Sequence, residues 1–251
     1  MLGRRITEQI RNQQWVTLAI EFLIVVAGVF IGIQVSNWNQ ERQERLDEDA
    51  ILTRMHEETG DLLQVVAAEA QVLERNAALM RQSQAVVFGV DPVRGLTAEE
   101  CEAIAGSHVY RLGSDELPIL NELVQTGRFD RLRNDGIKKQ LRRYILLRDR
   151  LRSSHEERTN EIYRLYSRHP ELVSMDMVPL EQEYDGVWTW LSAEGYRWKP
   201  QCDARAMRSS RAFQNEYFDN SGRTGSVLAA YREREEMLTE LHRMLGDLLG
   251  G

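Results

Sequence analysis

The sequence predicts an all-α protein: an N-terminal transmembrane helix continuing into a long helix that packs in an extramembrane helical bundle. Three observations predict it. Residues Trp15 to Trp38 are apolar nearly throughout, broken by Glu21 early and by Gln34, Ser36 and Asn37 late. Beyond them, apolar residues recur at three- and four-residue steps, the period of a helix with one buried face. Capping residues and Gly or Pro turns punctuate the remainder.

The apolar stretch comes first. A helix needs roughly 20 mostly apolar residues to cross a bilayer core of about 30 Å. Residues 15–38 are long enough, with a tryptophan at each end, where amphipathic rings favour the headgroup level. Two other readings compete. A signal peptide ends in a small-x-small cleavage site, which Val25-Val26-Ala27 fits loosely, yet the apolar run continues to Ile33. A buried helix of a soluble core is the other. Basic residues set orientation: Arg4, Arg5 and Arg11 precede the stretch, and Arg42 and Arg45 follow it among acids, which count little. The contest is nearly even. The ease of holding a short tail (residues 1–14) in the cytoplasm tips residues 39–251 to the periplasmic side of a bacterial inner membrane.

One face of this helix stands out. Glu21, Gly28, Gly32 and Ser36 are separated by 7, 4 and 4 residues, which returns each to nearly the same side. Small-x-x-x-small faces let two backbones approach in lipid. An ionisable group at mid-depth costs at least ~2.5 kcal/mol, so Glu21 should face protein, water or a partner. The expected partners are a second copy of the chain or another membrane protein. The competing reading has Glu21 snorkelling to the nearby interface and the glycines incidental.

Residues 39–88 read as one long helix, because no proline intervenes and Leu52, Met55, Thr59, Leu62, Val66, Ala70, Leu73, Ala77 and Met80 form a stripe. Thr59 and the alanines make a poor coiled-coil seam, so the stripe is expected to pack within the chain. Gly60 marks a weak point. Gly89 to Gly95 is a turn; Thr97 and Glu100 form a capping box for a short helix to about Ala105. Further helices are expected over 114–126, capped by Ser114; 134–168, capped by Asn134 and ended by Pro170; 203–220, capped by Asp203; and 224–249, after a turn at 220–223. The last is long enough to lie against the 46–88 helix.

Two patches, one at the end of the apolar stretch and one in mid-chain, resemble a known family. The first is Gln34-Val35-Ser36-Asn37-Trp38-Asn39, preceded by Glu21 and the Val/Ile/Gly run. The second is Asn121 to Gly127, followed by Leu132, Asn134, Leu141 and Tyr144. Together they resemble a family of uncharacterised bacterial single-pass membrane proteins, a domain of unknown function whose anchor ends in Gln-x-x-Asn-Trp-Asn. The resemblance covers about half the chain and stops after Leu151. It implies topology and supplies no activity.

Charge and chemistry narrow the function classes. The chain holds 32 Lys plus Arg against 39 Asp plus Glu, a net charge of −7, which argues against nucleic acid as the main partner. Cys101 and Cys202 lie far apart in sequence; in an oxidising compartment they form one disulfide, and otherwise they are two small core residues. Neither has a zinc-like neighbourhood. His56-Glu57-Glu58 and His155-Glu156-Glu157 place adjacent residues on different helix faces, so neither makes a site alone. There is no phosphate-binding glycine loop and no nucleophile elbow. Runs such as Glu233-Arg234-Glu235-Glu236 read as solvated faces. Between Pro179 and Pro200 lie Tyr184, Trp188, Trp190, Tyr196 and Trp198, read either as a ligand or partner patch or as cover for the core. No enzyme activity, metal or cofactor is expected. The leading reading is a membrane-anchored interaction or scaffold protein. The alternative is a periplasmic ligand-sensing domain that signals through a membrane partner.

Overall fold

Helix α1 runs from Leu2 to Val87 without a break in a computed structural model that describes residues 2–180 and 192–250, with side chains at Trp15 and from residue 19 onward. The chain divides into two units, Met1–Arg54 and Met55–Gly251. In the first unit, every side chain from residue 19 to 38 is exposed, and Trp15 and Trp38 are 69% and 59% exposed. The polar stretch that follows is laced by pairs one turn apart: Gln40 to Glu44, Gln43 to Asp47, and Arg45 with Glu41.

The second unit begins inside α1. Met55, Thr59, Leu62, Val66, Ala70, Ala77 and Met80 are buried, and Leu73 is half-buried. That stripe packs on α7 (Arg211–Leu249), which runs antiparallel to it. His56 stacks on His242, Glu69 meets Tyr231, Glu74 meets Arg232, and Ser83 bonds Tyr217. Helix α4 (Asp135–Thr159) supplies the third rod, with Leu147 and Leu151 packed on Ala230. Gly60 fits this packing: a Cβ there would stand 3.2 Å from the His242 ring. Short helices close the sides: α2 (Ala98–Ala105), α3 (Pro118–Gln125), α5 (Leu165–Arg168) and α6 (Ala204–Ser209). Thr97 and Glu100 make the reciprocal capping box of α2; Asn134 caps α4 and Asp203 caps α6.

The structure is 73% helix and 6% strand, consistent with the expected all-α class, with a small two-stranded sheet added to it. Strands β1 (Val173–Pro179) and β2 (Tyr196–Cys202) pair antiparallel, from Val173 opposite Cys202 to Pro179 opposite Tyr196. A two-stranded ribbon has two edges, so Pro200 is tolerated opposite Met175. Val173, with α2, α6 and α7, joins a second core of Ile104, Leu165, Leu172, Met207, Phe213 and Tyr217.

Four helix boundaries differ from expectation, each for a tertiary reason. The helix expected over 134–168 stops at Thr159, where Arg223 Nη1 donates to the carbonyls of Arg158 and Glu161 and takes over the helix end. Ser114 does not start a helix: its N–H donates to Glu69, and α3 begins at Pro118, the first-turn position proline favours. The helix expected over 203–220 divides at Ser210, whose Oγ caps α7 by accepting from the Phe213 N–H. The turn expected at 220–223 is helix. Asn220 is buried and donates to Ser107 Oγ and Tyr163 O, and Ser221 and Thr224 bond carbonyls one turn back.

Candidate functional site

Two features merit description as sites. The first is the face of α1 in the Met1–Arg54 unit. Glu21, Gly28, Gly32 and Ser36 are all exposed, and a Cβ built on Gly28 or Gly32 would meet nothing within 4 Å. The flanking Phe22, Ile24, Val25, Val29 and Ile31 are exposed as well. α1 holds the one described stretch long and apolar enough to cross a bilayer, with mean hydropathy 2.2 and no part of it buried. The helix therefore offers an apolar cylinder with one groove of small residues and one carboxyl group.

The second is a polar cluster in the Met55–Gly251 unit, around the loop 111–117. Arg234 is 1% exposed, and its Nη1 donates to Gly113 O at 3.0 Å and Ser114 O at 3.1 Å. Its guanidinium lies over the Tyr231 ring, and its Nη2 has no hydrogen-bond partner. Glu69 Oε2 accepts from Ser114 N–H at 3.2 Å. Asp115, 7% exposed, takes a two-pronged contact from Arg152 at 2.8 and 2.6 Å, while Tyr144 Oη donates to the Asp115 carbonyl at 2.8 Å. Glu58 receives the Ile119 N–H at the start of α3. Gly113 is tightly surrounded: a Cβ there would fall 2.1 Å from Glu69 Oε2 and 2.3 Å from Tyr231 Oη, so both side chains would have to move.

The electrostatics make this cluster a clamp. Burial pushes the Tyr231 hydroxyl up to about 12, with the Glu69 charge adding to it, and burial raises Tyr144 as well. Both stay protonated at neutral pH and act as donors. The two acids on Arg152 raise its affinity for its proton. Nothing here pairs a nucleophile with a base. The cluster fixes a loop in place.

Arg234 was expected on a solvated face, and the structure overturns that. The signal was present: Val227, Tyr231, Arg234, Leu238, Leu241 and Leu245 share one stripe of α7, so Arg234 falls on the buried side. Of the aromatic patch, Tyr184, Trp188 and Trp190 lie outside the described residues; Tyr196 is exposed and Trp198 half-buried, both on β2. Cys101 and Cys202 are joined by a disulfide, Cα atoms 5.8 Å apart, which ties α2 to the end of β2. Among the described residues no group of three or more His, Cys, Asp or Glu is placed to hold a metal ion.

No protein-family model matches the chain, and neither the curated proteins nor the solved structures contain a significant match.

Proposed function

We propose that this chain is a single-pass membrane-anchored interaction or scaffold protein. It pairs through Glu21, Gly28, Gly32 and Ser36 and displays the Met55–Gly251 bundle on the periplasmic side of a bacterial inner membrane. The observation that carries the reading is the complete exposure of residues 19–38 around an open Gly28/Gly32 groove. That much apolar surface is unfavourable in water and favourable in lipid, and the groove suits a second helix. Pairing there gives Glu21 a hydrogen-bonding partner and offsets its desolvation. The Cys101–Cys202 bond supports an oxidising compartment for the bundle. The Gln34-to-Asn39 motif supports membership of the uncharacterised single-pass family it resembles.

The test is alkaline extraction of native membranes, followed by crosslinking and affinity capture of the full chain. The protein resists extraction, and a crosslinked copy or membrane partner is recovered that Gly28→Ile with Gly32→Ile removes. Release of the protein at high pH contradicts the anchor; capture unchanged by the substitutions contradicts the pairing face.

A further inference from the structure

The net charge of −7 conceals a strong local reversal. The stretch 128–143 carries seven basic residues against only Asp130 and Asp135. Two of the chain's three lysines, Lys138 and Lys139, are here. Lys138 and Arg142 form one i,i+4 pair on α4, and Lys139 and Arg143 form another alongside it. With Asp135 they line an open surface cleft of about 490 Å³ along one side of α4.

The charges are only partly answered from within. Asp135 holds Lys138 at 2.7 Å, and Asp130 holds Arg142 at 3.2 Å, with the Arg142 guanidinium over the Phe129 ring. Lys139 and Arg143 are exposed, with no acidic partner among the described residues. Four like-charged heads within two turns repel one another, so the cleft favours a ligand bearing more than one negative charge. A guanidinium fork with ammonium groups beside it fits phosphoryl oxygens better than a single carboxylate.

We infer that the cleft of Lys138, Lys139, Arg142 and Arg143 binds phosphoryl groups, with Asp135 as the internal counter-ion that a ligand displaces. The phosphoryl group comes from free phosphate compounds or from anionic lipid headgroups, and the experiment separates the two. The full chain is held in phosphatidylcholine nanodiscs at low salt. It is titrated with inorganic pyrophosphate, and separately floated with vesicles containing phosphatidylglycerol. Binding of pyrophosphate identifies a free-phosphate site; flotation without pyrophosphate binding identifies a headgroup site. In either case Lys139→Ala with Arg143→Ala weakens binding about thirtyfold, the loss expected of two surface cations, without changing the melting temperature. Asp135→Asn strengthens it severalfold. Absence of both kinds of binding, or binding that ignores the double substitution, overturns the assignment.

Discussion

Gly113 and Arg234 show how much of this bundle rests on single residues. Gly113 leaves the space that Glu69 and Tyr231 occupy, and Arg234 holds the successive carbonyls of Gly113 and Ser114. Gly113→Ala is predicted to cost about 1–3 kcal/mol, because a new methyl displaces the two polar side chains. Arg234→Met removes the buried charge but strands both carbonyls, for a loss of about 1–3 kcal/mol. Because both substitutions release the same loop, their effects on chemical denaturation of the full chain should fall short of additive. Additive losses would show that the loop is not a shared unit. At this scale the sequence was legible wherever chemistry is local. The Thr97/Glu100 box, the Asn134 cap and the Asp203 cap all bond their own helix ends. Arg234 was hidden by its acidic neighbours, although its place in the heptad stripe was readable.

Among the elements, the rods were legible and their joints were not. A 3.6-residue stripe identifies α1 and α7 because burial repeats along the whole rod. The C-terminal end of α4 and the continuity of α7 depend on Arg223 and Asn220 reaching residues about 60 to 110 positions away, which no local pattern carries. The β1–β2 ribbon escaped for a similar reason: its strands are short, mixed in pattern, and held by partners in α2, α5 and α6. The disulfide is its strongest tie, closing a loop of 101 residues. Replacing Cys101 and Cys202 by Ala is predicted to lower stability by about 2–5 kcal/mol. Hydrogen exchange should rise first in 173–179 and 196–202, leaving α4 and α7 protected. Exchange rising uniformly would mean that the ribbon is no separate unit.

For the whole molecule, acid is the predicted destabilising direction, in two stages. Burial holds His108 below its ordinary 6.5, against a hydrogen bond to Ala105, and burial with Arg158 does the same to His155. The unfolded chain takes up those protons first, so stability falls as pH drops below 6.5 toward the folded values. Below 4.5 a second loss follows. The Arg94 guanidinium holds buried Glu100 below that value, and Arg152 does so for Glu116; their stabilisation is full above 4.5 and disappears through the lower folded values. Melting temperature of the full chain against pH checks this, and a flat profile between pH 7 and 5 would remove the histidine stage. Pairing through the Gly28/Gly32 face is likewise a proposed property of the whole molecule. Its most direct test is energy transfer between donor- and acceptor-labelled full chains in vesicles, with lipid dilution separating pairing from crowding. Wild-type transfer should persist on dilution, and Gly28→Ile with Gly32→Ile should reduce it to the crowding level. Transfer that falls with dilution in the wild type, or survives the substitutions, would contradict the pairing face.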